Sequence, residues 1–314
     1  MLDSQMSRYG AIAKALPLMN PGAKVFFLGP SSASWFGDFV NTFPPDGQGG
    51  VRVHSTITAV QDNAELTASR GDVVLALPGY TETLTAVKSL TTAGVQWIGV
   101  GEGLLKPTIT VNAATHGIAL GANNIVFENF HFAAPGTDAA LSMIHIDDDC
   151  TGVTVRKITG VGSDATNNFV HCIAIGNRAN DHRLEDIRLT TDKTLAVTAF
   201  LSFEGPVSRS TIGGFWAVGS VATAGVIDAS GARIKNAMWD RMYIAVGGVT
   251  KPALTIDAGS AANGMVTNSF FAGTHGTIAS NAAFTGDWRL SQVYVSEETG
   301  NVAQGALIPA VDAD

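Results

Sequence analysis

The sequence predicts an all-β protein whose chain winds into a parallel β-solenoid with about 27 residues in each coil. Two kinds of short apolar segment recur along the chain at nearly the same interval. Within these segments apolar and polar residues alternate with a period of two, which is typical of β-strands rather than helices. A unit of this length cannot bury its own apolar side chains, whereas stacked units bury a continuous core.

The first recurring segment reads apolar, two mostly polar or small residues, apolar, any residue, apolar, as in FENFHF at 127–132 and LEDIRL at 184–189. Its leading positions are 127, 155, 184, 212, 239, 266 and 290, which are 28, 29, 28, 27, 27 and 24 residues apart. The left-handed backbone of a sharp corner is tolerated best by Gly, Asn and Asp. We therefore expect corners at Asn129, Asp186, Gly214 and Asn268.

A second, shorter apolar segment precedes each copy of the first. Its anchors stand at 118, 144, 173, 201, 226, 254 and 278, with steps of 26, 29, 28, 25, 28 and 24 residues. Because two independent markers keep one period, we expect the coils to stack in register with strands about 4.8 Å apart. Stacking would put Glu128, Arg156 and Glu185 at one outward position on three successive coils, as a surface ladder of alternating charge.

The open end of such a solenoid needs a cap, and residues 55–68 fit one. They read as an amphipathic helix, with Ser55 as the N-cap. The helical spacing places four small or apolar residues on one face: Ile57, Val60, Ala64 and Ala68. The segment 71–82 follows as a buried strand, a turn and an outgoing strand.

The helix, the GDVVL strand and the Pro-Gly-Tyr turn within 71–82 resemble the N-terminal cap of pectin-lyase-like β-helices, and residues 123–132 are similar to their commonest coil. The resemblance covers about residues 50–295. It implies a right-handed parallel β-helix of about nine coils with an N-terminal capping helix. The superfamily includes polysaccharide lyases and hydrolases, phage tailspikes and non-catalytic virion proteins. The segment 24–29, followed by a turn at 43–47, more particularly resembles short β-helix proteins of tailed bacteriophages.

The chain is expected to have three parts. Residues 51–295 form the β-helix domain, residues 1–50 break the repeat, and residues 296–314 form an extended or disordered tail. The first part is rich in aromatic residues, including Phe26, Phe27, Trp35, Phe36 and Phe39. These aromatic side chains either pack over the open end of the solenoid or anchor a contact with another subunit or partner.

Composition narrows the class of protein. Of 314 residues, 46% are apolar and 15% charged, which excludes a disordered chain and argues against a coiled coil. The net charge of −8 argues against non-specific nucleic-acid binding. No apolar run reaches the roughly 20 residues of a membrane-spanning helix, and the N-terminus is a poor secretory signal. Cys150 and Cys172 match no disulfide framework or zinc spacing and are expected to be buried thiols.

Few residues combine into a site. The run Asp147, Asp148 and Asp149 could bind calcium, but successive strand residues point to opposite faces, and a solvated corner is the simpler interpretation. Histidines 116 and 171 share a repeat position but are separated by Ser142 on the coil between them, too far apart to share a metal unaided. The carboxylate pair that a glycosidase needs is not evident. We expect no catalytic residue and no cofactor.

Low charge predicts that other protein covers much of the surface. Outward-facing Trp216, Tyr243 and Val249 favour lateral packing of copies, most simply a homotrimer. With the resemblance, this implies a non-catalytic virion protein of a tailed phage, assembled in the host cytoplasm. The first expectation is a capsid decoration, or cement, protein that binds the major capsid protein or another virion protein, and neither nucleic acid nor membrane. The alternatives are a tailspike-like polysaccharide depolymerase and a glycan-binding protein without catalysis.

Overall fold

A computed structural model shows an all-β parallel β-solenoid of about nine turns with almost no helix. The structure describes residues 22–30, 36–37, 52–228, 233–248, 250–256, 262–274, 282–284, 287–297 and 306–307. In chain order the strands are β1 (Val25–Leu28), β2 (Val53–His54), β3 (Val73–Ala76), β4 (Thr81–Leu84), β5 (Lys88–Leu90), β6 (Gln96–Gly99), β7 (Thr108–Val111), β8 (His116–Leu120), β9 (Val126–Glu128), β10 (His131–Phe132), β11 (Ala140–Ile146), β12 (Thr154–Arg156), β13 (Thr159–Val161), β14 (Phe169–Ile175), β15 (Arg183–Thr190), β16 (Ala199–Phe203), β17 (Val207–Ser208), β18 (Thr211–Ser220), β19 (Val226–Asp228), β20 (Ile234–Lys235), β21 (Ala237–Asp240), β22 (Tyr243–Gly247), β23 (Leu254–Ile256), β24 (Asn263–Gly273), β25 (Ala282–Phe284), β26 (Asp287–Glu297) and β27 (Ala306–Leu307).

These strands form three faces of the coil. The first and second faces belong to one bent 17-stranded sheet, which β15, β18, β24 and β26 cross from one face to the other. The third face is an eight-stranded sheet of β5, β8, β11, β14, β16, β19, β23 and β25. A short pair, β17 with β20, lies at the corner between the third face and the next turn of the first.

The predicted stacking is confirmed on both markers. On the first face Phe127 pairs with Val155 and Val155 with Leu184, and the column continues to Leu290. On the third face the column starting at Ile118 runs through each predicted anchor as far as Leu254. Its last member is Ala282 rather than residue 278, which lies outside the described residues.

The bend between the first and second faces is a column of residues with left-handed backbone. All four expected corners have positive φ, from 50° at Asn268 to 70° at Gly214. The same column also holds Lys157, Arg241 and Gln292, with φ of 52° to 55°. The side-chain nitrogen of Asn129 donates hydrogen bonds to the carbonyls of Gly99 (2.8 Å) and Gly101 (3.0 Å), which ties its bend to the preceding turn.

The expected capping helix over 55–68 is not supported. The chain forms one helical turn, α1 (Ile57–Gln61), whose N-cap is Thr56 rather than Ser55: the Thr56 hydroxyl accepts from the Ala59 N–H at 3.2 Å. Beyond this turn the Asn63 side chain accepts from the Glu65 N–H at 2.8 Å. This local turn competes with helix continuation, which explains why the amphipathic pattern does not become a longer helix.

The sheet extends on both sides of the segment 51–295. β1 pairs in parallel with β3, and β27 pairs antiparallel with the last turn at Tyr294 and Val295. The side chain of Asp72 is fully buried beside β1 and accepts from the N–H groups of Lys24 (2.8 Å) and Thr67 (2.9 Å) and from Arg70 Nε (2.7 Å). A buried carboxylate is tolerated only when it is paired in this way, so Asp72 fastens the first strand to the solenoid.

Candidate functional site

A column of aromatic rings lies on the outer side of the second face, in its last four turns. Register places Trp216 beside Tyr243, Tyr243 beside Phe270, and Phe270 beside Tyr294. Each points outward because its strand neighbours Phe215, Ile244, Phe271 and Val295 point into the core. We call these four residues the aromatic column.

Rings within this column stack on one another. The ring centroids of Trp216 and Tyr243 are 6.2 Å apart with planes 11° from parallel, and those of Tyr243 and Phe270 are 5.2 Å apart at 18°. The exposed fractions are 37% for Trp216, 40% for Tyr243 and 45% for Tyr294. The expectation that Trp216 and Tyr243 face outward is confirmed, whereas Val249 lies outside the described residues.

A groove of about 430 Å³ runs beside the aromatic column. The bend contributes Asp186, Gly214 and Arg241 to it, and the second face contributes Arg188, Trp216 and Tyr243. Arg241 is also held by Asp240, with Nε 2.9 Å from Oδ2. The groove therefore offers ring surface, guanidinium donors and a single described carboxylate, a combination suited to binding a polar ligand.

The third face carries a cluster of histidines and carboxylates. His116, Ser142 and His171 occupy one column on successive turns, as the repeat predicted. The ring of His145 stacks on that of His116, with centroids 4.2 Å apart and planes 11° from parallel. His116 Nδ1 lies 2.9 Å from the Ser142 hydroxyl. The Ser142 side chain is buried, so this contact fixes the His116 ring and does not present an accessible nucleophile.

His145 is held between two carboxylates from different turns. Its Nδ1 lies 2.8 Å from Asp147 Oδ1, and its Nε2 lies 3.1 Å from Glu204 Oε2. Ionised carboxylates only accept hydrogen bonds, so both ring nitrogens carry hydrogen and the ring is an imidazolium. His145 thereby links turns that are two coils apart.

The pKa values of the three histidines in this cluster shift in different directions. Burial disfavours the charged form of His145, but the hydrogen bonds to Asp147 and Glu204 outweigh it and raise the pKa to about 9. Burial lowers the pKa of His116, and the neighbouring charge on His145 lowers it further. Burial likewise lowers the pKa of His171. The hydrogen bond from His145 lowers the pKa of Glu204.

The three consecutive aspartates do not converge. Asp147 pairs with His145, Asp148 accepts from the Asn177 N–H at 2.7 Å, and Asp149 pairs with Arg178 Nε at 2.5 Å. In the part of the chain that the structure describes, no group of three or more His, Cys, Asp or Glu side chains is arranged to hold a metal ion. The solvated-corner interpretation fits this geometry better than a calcium site.

The predicted register of charged residues on the first face is confirmed, but Glu128 is buried rather than on the surface, and Glu185 pairs with Arg183. Arg156 stands between Glu128 and Glu185 in register. Glu128 Oε2 accepts from Arg156 Nε at 2.8 Å, and its Oε1 accepts from Lys157 Nζ at 2.7 Å. Burial opposes ionisation of Glu128, but these bonds outweigh it and lower the pKa of its carboxyl group. A carboxylate held ionised by two cations is a poor general acid.

The N-terminal aromatic residues divide between those packed in the structure and those outside the described residues. Phe26 points into the main core, and Phe27 lies in a second apolar cluster on the outer side of the first turns, against which Phe36 packs. The side chains of Phe26 and Phe27 are fully buried, so they are not available to a partner and match the packing interpretation. Trp35 and Phe39 lie outside the described residues. Cys150 and Cys172 are free, buried thiols, as predicted.

Sequence reasoning missed the role of His145 and Glu204. The signal was present, because Asp147 and Glu204 stand at the same distance after the third-face anchors Ile144 and Leu201. It was overlooked because the matching place on the turn between them is Gly176, so the carboxylates meet only through a histidine that spans two turns.

In comparisons with known proteins, no family model, no curated protein and no solved structure matches the chain. The described residues include no helix of the length and apolarity needed to cross a membrane.

Proposed function

We propose that this chain is a non-catalytic structural protein of a tailed-phage virion, and most specifically a capsid decoration protein that binds and stabilises the head shell. The proposal takes the coil to be right-handed and pectin-lyase-like, as the sequence resemblance implies. It takes the working unit to be a homotrimer in the virion, bound to the major capsid protein or another virion protein.

The observation that carries the proposal is the exposed aromatic column on a rigid solenoid. Because the rings of Trp216, Tyr243 and Phe270 stack on one another, they present mainly their edges outward, and register places Tyr294 on the following turn. Exposed apolar surface of this kind is typical of a protein contact. Met238 and Met265, exposed on the first face of the same turns, add to it. These turns are therefore the surface by which we expect copies to pack laterally.

The titratable groups support a binding role rather than turnover. The described carboxylates that stand near one another are occupied: Glu128 by Arg156 and Lys157, and Asp147 and Glu204 by His145. A glycosidase needs two carboxyl groups across the scissile bond, about 5 Å apart or about 6.5–9.5 Å apart. The groove beside Trp216 contains one described carboxylate, Asp186.

Self-association gives the first test. Sedimentation velocity of the wild-type chain should show a trimer, and the double variant Trp216→Ser with Tyr243→Ser should shift it to monomer. The matched control is Leu104→Ser, which removes an exposed apolar side chain far from the aromatic column. A monomeric wild type, or an equal shift in the control, would contradict lateral packing through this column.

Capsid assembly gives the second test. Capsids assembled without this chain should lose resistance to heat and osmotic shock, and adding the purified chain back should restore it. Unchanged resistance would count against a cementing role.

Glycan binding is the second candidate, because the groove beside the aromatic column combines Trp216 with Arg188, Arg241 and Asp186. Exposed aromatic surface beside charged hydrogen-bonding groups suits a sugar, which has both apolar and hydroxyl surface. Incubation with host capsular or O-antigen polysaccharide separates the two functions. Saturable binding without cleavage would favour the glycan-binding candidate, and release of reducing ends or unsaturated sugars would overturn the non-catalytic proposal.

A further inference from the structure

A second groove, of about 420 Å³, lies at the corner where the third face leads into the next turn of the first face. The described side chains that line it are Arg178, Asn180, Pro206, Val207, Ser208, Arg233 and Lys235. We call it the corner groove. It contains three basic residues and no described acidic one, on a chain whose net charge is −8.

The earlier turns of this corner balance their charges across the stack. Arg178 binds Asp149 of the preceding turn through two bonds, Nε to Oδ1 at 2.5 Å and Nη2 to Oδ2 at 2.8 Å. Arg209 binds Asp181 of its preceding turn in the same bidentate way, with Nη2 to Oδ2 at 2.5 Å. Each arginine is thus neutralised by an aspartate one coil before it.

The balance stops one turn later. Register pairs Val207 with Ile234 and Ser208 with Lys235, so Arg233 follows Pro206 in its column and Lys235 follows Ser208. A proline and a serine therefore stand where the earlier turns supply aspartate. Arg233 and Lys235 are exposed, and neither has a carboxylate partner among the described residues. Within the described part of the chain, two positive charges therefore remain uncompensated at one edge of the groove.

The polar groups between these charges are also arranged as donors. The Oδ1 atom of Asn180 accepts from both the N–H and the hydroxyl of Ser208, each at 2.7 Å. Its acceptor is therefore used within the protein, while its side-chain nitrogen makes no hydrogen bond to another described residue. Guanidinium, ammonium and amide N–H groups around one groove form the donor set that an oxyanion requires.

We propose that the corner groove binds an oxyanion, a carboxylate, sulfate or phosphate group, between Arg233, Lys235 and the Asn180 amide. Arg178, whose charge is balanced by Asp149, contributes its remaining N–H groups. The proposal does not depend on the function proposed above, because it rests on charges at a corner of the coil and not on the aromatic column of the second face.

Titration of the purified chain with inorganic phosphate, followed by isothermal calorimetry at low ionic strength, tests the proposal. We expect saturable binding with one site per chain. Lys235→Ala and Arg233→Ala should each weaken it about tenfold, the loss expected for one charged hydrogen bond. The matched control is Lys193→Ala, which removes an exposed positive charge outside the groove. Thermal unfolding of each variant confirms that the fold is kept.

Each outcome of the titrations either supports the oxyanion site or overturns it. Saturable binding that Lys193→Ala preserves and the groove variants weaken supports the site. Equal weakening by all three variants means diffuse attraction, and absence of saturation by tens of millimolar phosphate means no site; either result overturns the proposal. Parallel titrations with glucuronate and with a glutamate-rich peptide then show whether a sugar acid or an acidic protein segment supplies the oxyanion.

Discussion

Two histidines in neighbouring turns differ in charge, one neutral and one positive, because the first points into the solenoid and the second points out. Inside, His182 Nδ1 donates to the Ala179 carbonyl at 2.7 Å, and Nε2 accepts from the Ser210 hydroxyl at 2.9 Å. Trp239 Nε1 in turn donates to Ser210 at 3.2 Å. The carbonyl can only accept and the indole can only donate, which fixes the direction of those two bonds. Burial lowers the pKa of His182 to about 4, so at neutral pH its Nε2 is unprotonated and accepts from Ser210. One donor and one acceptor make His182 neutral.

On the outer side, both nitrogens of His145 meet carboxylates, so the ring is charged. The residue type and the fold are the same, and the direction in which the strand position points decides the partners. The comparison teaches that a repeat fixes where a side chain points, while the turns above and below it fix its protonation.

The largest expected difference in stability is between a tryptophan on the inner side of the solenoid and one on its outer side. Trp239→Ala should destabilise the protein by about 3–5 kcal/mol, because it empties a fully buried volume and leaves Ser210 without its donor. Trp216→Ala, on the aromatic column, should cost less than about 1 kcal/mol in the monomer. Urea unfolding monitored by circular dichroism measures both. Equal decreases in the free energy of unfolding would contradict the placement of Trp239 in the core and Trp216 on the outer surface.

Acid should destabilise the fold through protonation of the buried His182. Burial lowers the pKa of His182 to about 4, below the value of about 6.5 for an unfolded chain. The unfolded state therefore binds the proton more readily, so stability is complete above pH 6.5 and falls as the pH drops towards 4. The loss should be about 3 kcal/mol.

Unfolding free energies measured between pH 4 and 7 test this effect. His182→Gln should be less stable at pH 7 but should show a flatter pH dependence over that range. An unchanged slope in His182→Gln would assign the acid sensitivity to other groups.

Two serines sharpen the comparison. Ser210→Ala should cost about 1–3 kcal/mol, because it leaves the His182 nitrogen and the Trp239 N–H buried without partners. Ser142→Ala removes a single bond, to a His116 ring that solvent can still reach, and should cost less than about 1 kcal/mol. Chemical denaturation at pH 7 compares the two variants. A larger cost for Ser142→Ala would show that the outer cluster contributes more stability than the inner chain of bonds.

Alkali should destabilise the fold through deprotonation of His145, on the outer side. This contribution is lost as the pH rises rather than as it falls, and it is smaller than that of His182. The pKa of His145 is about 9, above its unfolded value of about 6.5. Its contribution is therefore complete below pH 6.5 and is lost as the pH rises through 9. Because Asp147 and Glu204 are partly exposed, the loss should be only about 1–2 kcal/mol. Unfolding measured from pH 6 to 10 checks it, and Glu204→Gln should weaken the dependence.

The sequence predicted what depends on period alone. The stacking of Phe127 on Val155 and Leu184, the bend at Asn129 and the outward ring of Trp216 all follow from repeat position. It failed at residues 55–68, where the amphipathic spacing is satisfied by one helical turn and an Asn63 side-chain bond ends it.

The candidate sites were less accessible to sequence reasoning, because they depend on contacts across turns. His182 and Ser210 stand at one repeat position, two residues before Leu184 and Ile212, but only the structure shows that both side chains point inward. The corner groove depends likewise on which turns lack an aspartate, a difference visible only once Arg233 and Lys235 are placed in their columns.

The bend between the first two faces accepts Asn, Lys, Asp, Gly, Arg and Gln with nearly the same backbone. Acidic, basic and neutral residues can therefore replace one another along this edge while the path of the polypeptide stays the same. Substitutions at this bend could thus change the charge along one edge of the solenoid, one turn at a time, while the core residues stay the same. New binding preferences could arise in this way without a change of fold.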